Sequence, residues 1–220
     1  MKKIGGLSAL TIGALYIVIT YLYVSSGKLP DDPTKALKHL NTYRCEWIGI
    51  IILSIITDIL FIPLIISLFN NLSKNNLYQV SVGSALIILF VVIDLIYTWP
   101  GYIQLLRFSE DSKSFLALSQ NSFILLSSSS LIKMLNSPLS AFYLISLPSI
   151  GIALVCLGIP KSSFGSTGKV LGYVIGITGV MSSVGFTFFK PFGIGFILTS
   201  ILTILWLFAI GYKLLKLIDP

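Results

Sequence analysis

The sequence predicts an all-α polytopic membrane bundle of about six spans, forming one domain over residues 1–220. Three observations carry that prediction. Hydrophobic residues fill 55% of the 220 positions and charged residues only 10%, against about 25% charged in ordinary soluble domains. The mean hydropathy of +0.94 comes from long apolar runs with the charges set between them, which is the pattern of a multi-pass chain. Six such runs reach or approach the length of about 20 residues that a helix needs to cross the hydrocarbon of a bilayer.

The runs are residues 4–24, 47–69, 78–99, 139–157, 170–189 and 192–212. The first follows Lys2 and Lys3, as a signal peptide would. It is longer than a usual signal core and no small-x-small cleavage site closes it, so it is expected to be a retained span. Between the first two runs, Pro30, Asp31, Asp32 and Pro33 form a turn, and residues 34–40 then read as a short amphipathic helix lying at the interface. The Asn-rich link over 70–76 is a tight connection between antiparallel helices. Residues 100–138 mix Arg107, Glu110, Asp111 and Lys113 with short apolar pieces. They allow either a surface-lying helix or an early start of the fourth span. Pro148 is expected to kink that span, with neighbouring helices satisfying the freed carbonyl.

Lys and Arg counts do not orient the chain, because the two sides carry similar numbers. The acids do differ: Asp31, Asp32, Glu46, Glu110 and Asp111 fall on one side, and Asp219 alone on the other. With Lys2 and Lys3 flanking the first helix, both termini are expected in the cytoplasm and the protein in the cell membrane.

Composition and spacing also set aside several functions. The net charge of +7 is spread singly and in pairs at the ends of runs, whereas a nucleic-acid surface would be clustered; membrane lipids are the expected partners. Cys45 sits at the mouth of a run and Cys156 deep in a later one, giving neither a disulfide framework nor a metal spacing. The lone His39 cannot supply paired haem ligands or a multi-His metal site and is expected at the surface. Gly165 to Val170 imitates a phosphate loop, but the motif needs glycine at Ser163 and a hydroxyl at Val170, and both fail. No Ser, His and acid constellation stands out, and no cofactor is implied.

The candidate functional residues are intramembrane acids. Asp58 lies mid-run, where an ionised carboxylate costs several kcal/mol unless it is paired or wet. It reads equally as a proton or cation relay and as a protonated packing acid, since the neutral carboxyl is the cheaper form to bury. Asp94 lies five residues before Trp99, within reach of a snorkelling Arg107 or Lys133, and reads more readily as structural. Measured from the ends of their runs, the two acids stand at different depths, roughly 16 Å and 8 Å. Gly172 and Gly176 form a Gly-x-x-x-Gly step that lets another helix approach closely, either in this chain or in a second copy or membrane partner subunit.

From Thr57 the chain reads Thr-Asp-Ile-Leu-Phe-Ile-Pro-Leu-Ile-Ile-Ser-Leu-Phe-Asn-Asn-Leu-Ser-Lys-Asn-Asn, and its third run contains Val92-Ile93-Asp94-Leu95. With Gly158-Ile159-Pro160 ahead of Gly168 and Gly172, this resembles an uncharacterised family of small bacterial and archaeal six-span membrane proteins, known only as a domain of unknown function. The resemblance implies a six-helix bundle and supplies no catalytic residues. The functional expectation is a non-enzymatic membrane protein, either a small transporter or channel-like protein or a structural subunit. The alternative is an intramembrane enzyme acting on a lipid or quinone, which would draw Asp58, Asp94 and Arg107 to one lateral opening.

Overall fold

The computed structural model describes residues 1–74, 76–114, 121–159, 165–188 and 193–216. The predicted run ends at 189 and 192, together with Ser163, Lys161, Lys190 and Asp219, lie outside the described residues. Every described element is helical: α1 (Lys2–Ser26), α2 (Pro33–Thr42), α3 (Arg44–Leu72), α4 (Leu77–Ile93), α5 (Trp99–Ser114), α6 (Asn121–Leu135), α7 (Pro138–Ala141), α8 (Leu147–Leu157), α9 (Gly165–Phe188) and α10 (Gly193–Lys216). Two π-helical turns, Asp94–Thr98 and Phe142–Ser146, join α4 to α5 and α7 to α8 without a break.

Six helical stretches are long and apolar enough to cross a membrane: Lys2–Ser26, Arg44–Leu72, Leu77–Asp111, Pro138–Leu157, Thr167–Phe188 and Gly195–Lys216. The third differs from the run predicted over 78–99. Pro100 does not stop the helix, because it follows a π turn and occupies the second position of α5. A proline lacks an N–H and its ring presses on the carbonyl four residues back. The wider π turn relieves both problems and lets the helix continue. Pro148 is accommodated in the same way at the start of α8, so the expected kink is a π turn. The described residues of 100–138 are thereby placed: the third helix runs on through α5, α6 is a separate helix, and the fourth span begins at Pro138.

The six spans form a ring in which consecutive helices are antiparallel and the last closes on the first. Register follows from the close approaches. Gly5 of α1 abuts Ser67 of α3, and Gly49 abuts Leu22. Phe61 of α3 meets Phe90 of α4 edge-on, with ring centroids 6.3 Å apart. Gly83 of α4 and Gly151 of α8 touch backbone to backbone, so that a Cβ added at Gly83 would stand 2.6 Å from the Gly151 carbonyl oxygen. Gly172, Gly176 and Gly179 of α9 pack on Cys156, Ala153 and Ser149 of α8. This assigns the Gly-x-x-x-Gly face to a helix of the same chain. Gly6 of α1 and Gly211 of α10 close the ring.

Inside the half of the ring that holds the chain's first residues, Leu64, Leu68, Ile87, Val155, Trp206 and Ile210 form a packed apolar core. At the other end a layer of α2, α5 and α6 caps the ring through Leu40, Trp47, Leu105 and Ile132. The amphipathic helix predicted over 34–40 is α2. Asp32 caps it by accepting from the Lys35 N–H at 2.9 Å, Pro33 opens its first turn, and Ala36, Leu37 and Leu40 are buried. Arg44 and Glu110 pair at 2.6 Å, tying α3 to α5. The outer face of α3 leaves Ile52, Ile56, Ile59, Ile62 and Ile66 exposed in one helical stripe, a surface that hydrocarbon solvates and water does not.

Candidate functional site

Between the apolar core and the capping layer lies a cavity of about 290 Å³, lined by α1, α3, α4, α5, α8, α10 and both π turns. Its position follows from the register of the ring. Asp58 falls on the inward face of α3 and is 2% exposed; Asp94 opens the first π turn and is 4% exposed. Both line the cavity. The level difference expected from run ends does not hold. Asp58 meets Trp99 and Phe61 meets Phe90, so Asp94 lies between these two rungs, at about the height of Asp58. Run ends misplace Asp94 because the third helix does not end at Trp99 but continues through α5.

The two carboxyls are held differently. Asp58 Oδ2 accepts a hydrogen bond from the Trp99 indole Nε1–H at 2.7 Å. Asp94 Oδ1 is buried and accepts no formed hydrogen bond. Around them, the Thr98 and Tyr143 hydroxyls of the two π turns are 3.4 Å apart, and the Tyr97 and Tyr143 rings meet edge-on. The π turns thus face one another across the wall of the cavity. Thr57, also on the lining, gives its hydroxyl to the Ser54 carbonyl at 2.7 Å. Behind α8 a hydroxyl cluster ties in α9: Ser146 bonds Ser183 and reaches the Gly179 carbonyl at 3.4 Å, while Ser182 meets Thr199 of α10 at 3.3 Å.

No Lys, Arg or His stands among the described lining residues. Arg107 and Lys133 are both exposed on α5 and α6 and do not line the cavity; the structure does not bring these candidate partners to the acids. Among the described residues, no group of three or more His, Cys, Asp or Glu is placed to hold a metal ion. Cys45 and Cys156 are unpaired, one exposed and one buried. Cys156 accepts from the Trp206 indole at 3.2 Å within the apolar core and does not line the cavity. His39 is half-buried against Tyr43 and Trp47, in the capping layer.

Trp99 and Thr98 are among the lining residues that sequence reasoning did not single out, as is Tyr143, which meets Thr98 beside the lining. The pairing of Asp58 with Trp99 depends on the register of antiparallel helices across 41 positions of chain. The only sequence signal was that an acid in a span needs a donor somewhere in its neighbours. No family model, curated protein or solved structure matches this chain, so the resemblance to an uncharacterised six-span family rests on the residues quoted for it.

Proposed function

We propose that this chain is a small membrane carrier that handles a proton or cation, with Asp58 and Asp94 as the relay. The observation that supports the reading is the placement of two buried carboxyls from neighbouring spans on one cavity, with no basic side chain among its described lining. Burying one carboxylate costs several kcal/mol, and a second nearby adds repulsion. A proton or a bound cation relieves both. The Asp94 carboxyl has the Thr98 hydroxyl beside it, but its buried Oδ1 accepts no formed hydrogen bond, which leaves it an acceptor free for a proton donor. The cavity lies between the packed core and the capping layer, so that reaching it from either face requires one of the two to open, which suits alternating access. The enzyme alternative also brings Asp58 and Asp94 to one site, as the cavity does, but Arg107, its further candidate, is not on the lining.

For orientation, Lys2, Lys3, Lys74, Lys169, Lys213 and Lys216 gather at the end of the ring that holds the N-terminus, and no acid accompanies them among the described residues. The opposite end carries a similar number of basic residues but mixes them with acids, and this contrast, with Lys2 and Lys3 flanking the first helix, supports a cytoplasmic position for both termini.

The test is flux in proteoliposomes carrying a pH-sensitive dye, with an imposed membrane potential. The wild type is expected to move protons faster than Asp58→Asn and Asp94→Asn by about tenfold or more, the usual scale for an essential proton-transfer group. Equal rates in all three, matching protein-free vesicles, would remove the relay.

A further inference from the structure

We propose that the Asp58–Asp94 cavity binds an organic ammonium ion that carries at least one N–H and an aromatic or aliphatic group. This rests on the reading of the cavity as a cation site and names the class of cation. Asp94 lines the cavity with the Thr98 hydroxyl beside its carboxyl, and its buried Oδ1 accepts no formed hydrogen bond; an orphaned buried acceptor calls for a donor. Asp58 already receives the Trp99 indole. The group that completes the site therefore brings a positive charge to two acids and a hydrogen bond to one of them. An ammonium N–H does both.

An inorganic divalent ion fits less well. Calcium takes about six to eight oxygen ligands, and magnesium binds through carboxylates while keeping several waters; here two carboxyls stand without a third acid or histidine in the described neighbourhood. The rest of the wall mixes aromatic rings with aliphatic side chains and with Ser and Thr hydroxyls. Tyr16, Phe61, Phe90, Trp99 and Tyr102 line it, and the Trp99 and Tyr102 rings are 6.0 Å apart and tilted by 34°. Ring faces attract an organic cation and bury its apolar part at the same time. The volume of about 290 Å³ is near the lower end of the range for small-molecule sites, about 300–1,000 Å³; a single ring with a short aminoalkyl arm suits it. The lining residues Thr20 of α1 and Ser200 of α10 are exposed, while the close approaches of these helices, Gly6 to Gly211 and Gly13 to Phe208, lie in the other half of the ring.

The test uses the full chain in detergent micelles, titrated calorimetrically with 2-phenylethylammonium chloride and corrected against protein-free micelles. The comparison ligands are the uncharged 3-phenylpropan-1-ol and benzyltrimethylammonium, which has charge but no N–H. Expected are saturable binding of the primary ammonium and binding of each comparison ligand weaker by about tenfold or more. Asp94→Asn should weaken the primary ammonium by a similar factor. Since that variant could fail to fold, the second arm follows indole emission. Ligand should change the emission of the wild type, which has three Trp, and not that of Trp99→Phe. Absent saturable binding by the wild type overturns the proposal, as does equal binding of either comparison ligand. Proton flux without ammonium binding would sink the ligand and leave the relay; ammonium binding without flux would do the reverse.

Discussion

At the scale of single residues, the hydrogen bond from Trp99 to Asp58 is the contact on which the cavity wall depends. Its length of 2.7 Å suits a donor to a charged or strongly polarised acceptor, and Asp58 has only 2% exposure through which water could replace the indole. Trp99→Phe keeps a ring and removes the donor, leaving a buried carboxyl oxygen unsatisfied at a cost of about 1–3 kcal/mol. Asp58→Asn keeps an acceptor for the indole and should cost less. Thermal unfolding of both variants in detergent checks the order; Trp99→Phe as stable as the wild type would show that the bond contributes little. Asp58 and Asp94 were legible in the sequence because an acid inside a span is expensive enough to need a reason. Their common cavity was not, because the side chain that fixes the register is an ordinary interfacial-looking Trp beside a Pro. Arg107 and Lys133 looked close along the chain, but α5 continues the third helix and presents Arg107 at its exposed face.

At the scale of elements, small residues set how closely the helices approach, and prolines set where the helical repeat widens. Gly176 faces Ala153 of α8, where an added Cβ would stand 2.6 Å from the Ala153 Cβ; Gly101 faces only the flexible end of Leu135, at 3.4 Å. Gly176→Leu should therefore push α9 from α8 and destabilise by about 1–3 kcal/mol or more. Gly101→Ala should be tolerated, gaining a little from the stiffer unfolded chain and from helix propensity. Melting temperatures measured side by side decide it, and equal losses at the two sites would refute close packing as the reason for Gly176. The Gly-x-x-x-Gly step was readable, since its spacing alone defines a face. The end of the third span was not. Proline normally ends a helix, and no pattern in residues 94–100 announces that a π turn will carry the backbone past Pro100. That same turn places Asp94 and Thr98 on the cavity, so the feature hidden from the sequence is the one that assembles the site.

At the scale of the whole molecule, six alternating spans close into a ring whose two ends differ in charge and in construction. Among the described residues, one end holds helix termini with lysines; the other is covered by α2, α5 and α6 and carries every acid of the described loops. The number and order of spans followed from hydropathy, because about 20 apolar residues have few other ways to satisfy their backbone. The closure of α10 on α1 did not, because nothing local distinguishes the Gly6–Gly211 approach from any other pair of glycines. The asymmetry makes a topological prediction that needs no knowledge of the ligand. Cys45 is exposed at the start of α3, in the capped end, and Cys156 is buried. A membrane-impermeant maleimide applied to intact cells should label the wild type, at Cys45 alone. Moving the thiol to the opposite end, with Cys45→Ser and Leu77→Cys, uses a position that is 61% exposed at the start of α4 and leaves every charge in place. That variant should react only after the cells are permeabilised. The reverse pattern would turn the chain over and put the cavity half of the ring toward the cytoplasm.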